Sequence, residues 1–290
     1  MAANANRDRG KRTTGDLTHI AETAGAPDEA SRPDAAPCAR CGETVCPVWL
    51  LTPRAPRWHV PRLCRECQAA EVAEREAERR QRVAREALHE RIRAAGLASP
   101  HRSSRTFATF RRLTGTEEAL DRAGEFARVM SADPSSISRG LFFIGVHPTE
   151  RNGCGKTHLA LAILHEVLAS DTTRTGLFVE FADYLDALRR SFGASDSAPE
   201  WVRSAMFRVD LLVLDDIGAA AASRVGWDSE EMRRLLNHRI EAGRPIITTA
   251  DVGPDELAGR LGQRIVSRLY EACEIVRVRA GDYRRRRKEA

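Results

Sequence analysis

The sequence of 290 residues lacks any long hydrophobic run, because no segment approaches the ~18 consecutive apolar residues of a membrane span. Its first residues are polar where a secretory signal needs an apolar stretch. We therefore expect a cytoplasmic location and no membrane partner. Aromatic residues are also scarce, at 6%, and they indicate no stacking platform for nucleic-acid bases.

A large excess of one charge is absent as well, since 46 Lys and Arg face 41 Asp and Glu for a formal net charge of +5. The basic surplus lies at the two ends, in residues 1–12 and 284–290, and the residues between them are close to neutral. This distribution argues against a uniformly basic, histone-like protein. Residues 285–288 are either a tail that contacts nucleic-acid phosphates or a solubilising end.

Cysteine is crowded rather than scarce, because five of the seven cysteines lie between residues 38 and 67. Two Cys-x-x-Cys units, separated by 22 residues, supply Cys38, Cys41, Cys64 and Cys67. Four thiolates complete the tetrahedral shell of Zn²⁺, so the spacing favours a structural zinc site over unliganded or redox cysteines. Cys46 and His59 are spare candidate ligands, whereas Cys154 and Cys273 are expected to be buried.

Changes in composition divide the chain. Residues 1–37 have no apolar periodicity, and the prolines of the cysteine-rich region exclude a long helix there. Residues 68–95 contain neither Gly nor Pro and predict one helix, a solvated connector rather than a coiled coil because its apolar positions keep no heptad. The predicted divisions are a disordered tail 1–37, a zinc-binding module 38–68, a connector helix 69–98, a large domain 99–283 and a basic tail 284–290.

From about residue 105 short apolar segments alternate with helical patterns. The predicted strands are 141–146, 176–181, 210–214 and 245–249, and the predicted helices are 157–168, 183–192 and 230–242. Buried strands that alternate with helices are typical of an α/β fold with a parallel sheet covered on both faces.

A glycine-rich loop follows the first of these strands and runs directly into a helix. Gly153 and Gly155 let backbone N–H groups face the phosphates of a nucleotide, Lys156 would reach the β- and γ-phosphates, and the Thr157 hydroxyl would ligate Mg²⁺. The strict G-x-x-x-x-G-K spacing is not met, so Gly145 is the displaced first glycine and 147–151 an insertion. The predicted nucleotide-binding residues of this loop are Gly153, Cys154, Gly155, Lys156, Thr157 and His158.

A second motif, which is acidic, lies some 60 residues after the loop. There the predicted buried strand 210–214 is followed by Asp215 and Asp216. The strand would place Asp215 beside the phosphate loop to hold Mg²⁺ through water. Asp216 would act as general base toward the attacking water. The alternative is an acidic turn without catalytic role, but together with the loop the strand predicts an ATPase.

At these residues the chain resembles the AAA+ ATPases of the bacterial and phage replicative helicase loader family (DnaC/DnaI-like) and the related IstB-type transposition helpers. The resemblance implies a P-loop ATPase domain with a parallel sheet, preceded here by the small four-cysteine zinc module and the connector helix. The blocks that carry it are Arg91-Ile-Arg-Ala-Ala-Gly-Leu, Thr106-Phe-Ala-Thr-Phe, Asn152-Gly-Cys-Gly-Lys-Thr-His-Leu-Ala, Leu212-Val-Leu-Asp-Asp-Ile-Gly, Leu235-Leu-Asn-His-Arg, Arg244-Pro-Ile-Ile-Thr-Thr and Arg264-Ile-Val-Ser-Arg-Leu.

The resemblance also assigns roles outside the phosphate loop. Arg268 matches an arginine finger that completes a neighbouring subunit's site, with a surface salt bridge as the alternative. Arg284 matches a sensor arginine near the γ-phosphate, or else begins the basic tail. The family's Thr-Thr-Asn sensor is altered, because Ala250 takes the place of the asparagine. Either Thr249 or Asp251 replaces its polar contact, or hydrolysis is slow.

Three functions fit this sequence. The favoured one is a helicase loader that uses ATP, Mg²⁺ and Zn²⁺, self-associates with ATP, binds single-stranded DNA and holds a DnaB-type hexameric helicase through its zinc module. In that module Trp49, Leu50, Leu51 and Trp58 either offer a docking surface or pack around the metal. The alternatives are an IstB-type ATPase that presents duplex DNA to a transposase and a zinc-containing DNA-binding scaffold with a vestigial ATPase fold.

Overall fold

The computed structural model describes residues 29–52, 55–146, 153–171, 173–191, 198–219 and 227–282. The chain divides into two compact units, Met1–Val83 and Ala84–Ala290. In the part of the chain that is described, no helix combines the length and the apolar character needed to cross a bilayer.

The first unit consists of two small antiparallel hairpins and the beginning of a long helix. Strand β1 (Ala36–Pro37) pairs with β2 (Thr44–Val45), and β3 (Val48–Leu50) pairs with β4 (Arg57–His59). Helix α1 spans Arg65–Ala94, begins inside the second Cys-x-x-Cys unit and buries none of its residues. The predicted helix over 68–95 is therefore present and starts three residues earlier.

The second unit is built on a five-stranded sheet in which every neighbouring pair is parallel. Its strands are β5 (Gly140–Gly145), β6 (Gly176–Glu180), β7 (Leu211–Asp215), β8 (Ile246–Ala250) and β9 (Cys273–Val278). They lie in the order β6-β7-β8-β5-β9. Strand β8 thus separates β5, which leads to the glycine-rich loop, from β7, which ends in the acidic pair.

Helices cover both faces of the sheet. They are α2 (Pro100–Ser103), α3 (Glu117–Ala132), α4 (Lys156–Ser170), α5 (Phe181–Ser191), α6 (Ala198–Arg208), α7 (Trp227–Glu241), α8 (Pro254–Leu261) and α9 (Gln263–Ala272). One apolar cluster joins Leu141 and Phe143 of β5 to α3 and α4, and a second joins Phe142 and Ile144 to α5 through α9. Because neighbouring side chains of a strand point to opposite faces, β5 contributes to both clusters.

The predicted fold class is confirmed by this three-layer arrangement and by the cysteine cluster that precedes it. The four predicted strands are present with ends that differ by a residue. The edge strand β9 and helices α2, α3, α6, α8 and α9 were not predicted.

Candidate nucleotide-binding site

The glycine-rich loop has a backbone that only glycine accommodates at two positions. Gly153 has φ +70° and Gly155 has φ +101°. A Cβ at residue 153 would lie 1.8 Å from an Asp282 carboxylate oxygen, and one at residue 155 would lie 2.9 Å from the Phe110 ring. Residue 155 caps the N-terminus of α4, so the turn delivers the positive end of a helix to the site. The predicted insertion 147–151 lies outside the described residues.

Three separate segments meet at the carboxylate of Asp215, which is 8% exposed at the end of β7. Its Oδ2 accepts a hydrogen bond from Thr157 Oγ1 at 3.1 Å, and its Oδ1 accepts one from Thr249 Oγ1 at 2.7 Å. The Thr249 hydroxyl also accepts the backbone N–H of Asp216 at 2.9 Å. Thr249 can bridge these groups because β8 lies next to β7 in the sheet.

The lysine of the loop lies inside the site. Lys156 is 5% exposed, and its Nζ lies 2.5 Å from Asp251 Oδ1 and 3.4 Å from Cys154 Sγ. Asp251 follows β8 and is 38% exposed. A buried ammonium therefore has an anionic partner from the same chain.

Burial changes the titration of the acidic pair. It raises the pKa of Asp215, although the hydrogen bonds from Thr249 and Thr157 oppose the shift. Burial also raises the pKa of Asp216, with further contributions from the negative charges of Asp251 and Asp215. A divalent cation would counter this effect. The carboxylate of Asp215 and the hydroxyl of Thr157 are oxygen ligands of the kind that Mg²⁺ prefers, so the donor set fits that ion.

A cavity of about 890 Å³ opens over these residues. It is also lined by residues that the sequence did not assign to binding, which include His101, Ser104, Arg105, Thr109, Phe110 and Arg111. The only sequence signal there was the 106–110 block, which carried the family resemblance without a role. The volume and the mixture of basic and aromatic side chains suit a nucleotide.

His158 connects the cavity wall formed by residues 101–111 to the phosphate loop. Its ring packs edge to face on Phe110 with centroids 5.1 Å apart, and its Nε2 lies 2.9 Å from the carbonyl oxygen of Thr106. Burial lowers the pKa of the imidazole. His158 therefore lines the cavity, while its ring nitrogen faces protein backbone, and its role in nucleotide binding stays a prediction.

The remaining predicted residues lie in different places. Ala250 is fully buried in the apolar cluster that contains Val252, whereas its neighbours Thr249 and Asp251 line the cavity. Arg268 is exposed on α9, 2.5 Å from Glu271, and is not among the described residues that line the cavity. Arg284 lies outside the described residues.

The first unit holds a separate candidate metal site. The Sγ atoms of Cys38, Cys41, Cys64 and Cys67 all lie within 4.8 Å of one another. Cys41 and Cys64 are 3.6 Å apart, close to the edge of roughly 3.8 Å that a tetrahedron with Zn–S bonds of ~2.3 Å requires. The Cys64 N–H donates to Cys38 Sγ at 3.2 Å. These sulfurs fit a closed zinc shell. Cys46 is exposed outside the cluster, and Cys154 and Cys273 are buried as predicted.

The second hairpin of this unit has two different faces. Trp49 and Trp58 pack edge to face with ring centroids 5.3 Å apart, and the Arg32 guanidinium lies 5.2 Å above Trp58. Val48 and Leu50 alternate with Trp49 along β3 and remain 41% and 39% exposed. The tryptophans therefore pack on each other, and the aliphatic side chains form the exposed apolar surface.

Known proteins match part of this chain. The replicative helicase loader DnaC of Escherichia coli K12 is 26% identical over 155 residues, which are 53% of this chain and 58% of the relative. The chromosomal replication initiator protein DnaA of Spiroplasma apis is 31% identical over 131 residues, 43% of this chain and 46% of the relative. The chain thus spans less than two thirds of the length of these relatives.

Solved structures show the same fold. The crystal structure of the DnaC helicase loader covers 62% of this chain and 100% of its own, with a TM-score of 0.50 at 23% identity. The model of one family, described as IstB-like ATP binding protein, matches residues 141–290. That match extends over slightly more than half of the chain, and the protein, which is similar to DnaC, therefore belongs to the family of IstB-like ATP binding proteins.

Proposed function

We propose that the protein is an ATP-dependent loader that places a ring-shaped replicative helicase on single-stranded DNA. The observation that carries this proposal is the pairing of a DnaC-like ATPase unit with a separate four-cysteine unit that exposes apolar side chains. A small metal-held unit without a large core suits docking better than catalysis.

The nucleotide step follows from the geometry of the second unit. Gly153 to Thr157 would cradle the phosphates of ATP, with Lys156 as the cation and the Thr157 hydroxyl and Asp215 as oxygen ligands. When bound, Mg²⁺ neutralises phosphate charge and fixes the phosphate geometry. Thr249 holds Asp215 in place through its 2.7 Å hydrogen bond.

Asp216 is the proposed general base. A base works best when its pKa lies near the working pH, and burial shifts the pKa of Asp216 upward. Its backbone is held by Thr249 with φ +50°, an uncommon value outside glycine. Thr249 therefore positions the carboxylate of Asp215 and the backbone of Asp216, and it replaces part of the polar contact that Ala250 cannot make.

Two arginines complete the proposed ATPase. Arg268 is exposed on α9, which supports a role toward the site of a neighbouring protomer during ATP-dependent self-association. A guanidinium placed there would stabilise charge on the transferred phosphoryl group. Arg284 remains a proposed sensor of the γ-phosphate.

The nucleotide site is tested by Lys156→Ala in the full chain, with calorimetric titration of ATP and Mg²⁺. We expect ATP affinity to fall about a hundredfold, because a charged hydrogen bond to phosphate is lost. Arg128→Ala removes an exposed cation from α3 and serves as the control. Equal ATP affinity for Lys156→Ala and the unaltered protein would contradict an active ATP site and favour a vestigial ATPase fold.

The docking surface is tested by binding of the whole 290-residue chain to a hexameric replicative helicase. The double variant Val48→Glu and Leu50→Glu should weaken the complex at least about tenfold, because charge replaces a desolvated apolar contact. Val83→Glu changes a valine of α1 that is 57% exposed and is the matched control. No complex of the unaltered protein with the helicase would reject the loader.

The second candidate is an ATPase that presents duplex DNA to a transposase, and the IstB-like family match favours it. Both candidates share the nucleotide site, so DNA and partner binding separate them. ATP-dependent assembly on duplex DNA, with no affinity for a helicase, would support the transposition role.

A further inference from the structure

The sensor position of this ATPase carries an unusual pair of residues. Ala250 stands where the family's asparagine is expected, and an acidic residue, Asp251, follows it. The side chain of Ala250 is fully buried among apolar groups. The first polar side chain after Thr249 that reaches the cavity is therefore a carboxylate rather than an amide.

That carboxylate lies on the lysine of the phosphate loop. Asp251 Oδ1 is 2.5 Å from Lys156 Nζ, within the range of a charge-assisted hydrogen bond. Only 5% of the lysine side chain is exposed, so water has little access to the ammonium. Asp251 is 38% exposed and stands on the cavity side. It holds the cation at the place where a nucleotide phosphate would arrive.

We propose that Asp251 is an internal competitor of the nucleotide: its carboxylate occupies Lys156 and must be displaced by the phosphates, so it sets the affinity and selectivity for nucleotides. The proposal rests on the proposed ATP site. ATP then binds only the protein molecules in which Lys156 is free of Asp251. The apparent affinity equals the intrinsic affinity multiplied by the fraction of protein in that state.

The competition acts more strongly on a triphosphate than on a diphosphate. In the proposed mode of binding Lys156 reaches the β- and γ-phosphates, and Asp251 lies on that lysine. Asp215 and Asp216 already line the same cavity. A γ-phosphate therefore meets repulsion from Asp251 that a nucleoside diphosphate largely avoids. Asp251 thus reduces the ratio of ATP affinity to ADP affinity.

The test compares the full-length protein with Asp251→Asn, which keeps the shape of the side chain and removes its charge. Calorimetric titration with Mg²⁺ and either ATP or ADP should show ATP affinity raised about tenfold and ADP affinity raised less. Asp255→Asn, an exposed aspartate in the first turn of α8, should leave both affinities unchanged. Asp251→Ala should follow Asp251→Asn, because the effect depends on the charge.

A second readout separates competition from a merely structural role. Without nucleotide, Asp251→Asn should lower the melting temperature, because Lys156 loses its anion. Saturating ATP should then raise the melting temperature of this variant by more than it raises that of the unaltered protein. If Asp251 had only a structural role, Asp251→Asn would lower the melting temperature by the same amount with and without ATP.

The possible failures are distinct. If neither the unaltered protein nor Asp251→Asn binds ATP, the proposed ATP site fails together with the inference. If the unaltered protein binds ATP and Asp251→Asn binds it equally or more weakly, only the inference fails. Weaker binding would show that Asp251 contacts the nucleotide directly in place of the missing asparagine.

Discussion

Each of the two units of this protein is stabilised internally by a different kind of interaction. Among the described residues of the first unit, the buried apolar cluster consists of Cys38, Val45 and Cys64, two of which are predicted metal ligands. The second unit buries two large clusters on opposite faces of a parallel sheet. A chain segment with so little apolar burial rarely folds without a disulfide or a bound metal ion. The comparison teaches that the first unit depends on its cysteines and the second on its apolar residues.

The largest expected effect comes from Cys64→Ser, which removes one sulfur from the cluster. Structural zinc contributes apparent free energies of roughly 10–16 kcal/mol in small domains, so the first unit should lose its metal and unfold. The second unit should keep its unfolding transition. Metal analysis and limited proteolysis check both statements, with the exposed Cys46→Ser as control. Full zinc content in Cys64→Ser would break the comparison.

Phe143→Ala should have the opposite distribution of effects. Phe143 is fully buried in the cluster between the sheet and α4, and loss of such a ring costs roughly 3–5 kcal/mol. Urea unfolding should show this loss in the second unit while the zinc content stays unchanged. Tyr270→Ala changes an aromatic that is 47% exposed and should cost about 0.5 kcal/mol or less. Equal costs for the two variants would contradict the assigned core.

A smaller loss is expected for Thr249→Val, which sharpens the contrast between core and site inside the second unit. The change removes the donor to Asp215 and the acceptor of the Asp216 N–H. Buried groups left without partners cost roughly 1–3 kcal/mol. Thr248→Val alters the neighbouring buried threonine, whose hydroxyl takes no part in these two bonds, and should cost less in the same urea titration.

The smallest effect is a dependence of stability on pH. Burial raises the pKa of Asp215 in the folded protein. The stability associated with its neutral form is therefore fully present below the ordinary pKa of about 3.9 and is lost as pH rises through the raised value. Asp215→Asn avoids this loss, so its free energy of unfolding relative to the unaltered protein should increase with pH. Urea titrations of nucleotide-free protein over this range, with Asp255→Asn as control, check the sign. Parallel curves would contradict it.

Much of the fold could be predicted from local patterns. Three patterns depend only on neighbouring residues: the apolar run at 141–146, the glycines at 153 and 155, and the acidic end of 210–216. The structure has a strand, a turn and a strand at these places. The helix α1 followed from the absence of Gly and Pro. Strand β9 was missed because its alternation is weak, with Glu274 and Arg277 among its six residues.

The wall of the cavity near Phe110 was missed for another reason. Residues 101–111 comprise the end of α2 and short turns, and they carry no phosphate-binding pattern. They reach the cavity because His158 and His165 of α4 contact the carbonyl oxygens of Thr106 and Arg102. Contacts of this kind depend on which elements the fold brings together, and local sequence propensity does not predict them.

The sequence by itself determined the kinds of site this protein holds. Two Cys-x-x-Cys turns, a glycine-rich turn before a helix and an acidic strand end are short-range patterns whose chemistry depends on adjacent residues. Only the tertiary structure decided how the distant residues meet. The strand order places β8 between β5 and β7, so that Thr249 reaches Asp215, Ala250 enters the core and Asp251 meets Lys156. Alternation along a single buried strand sends neighbouring side chains to opposite faces, and the sheet's neighbours then decide what each of them touches.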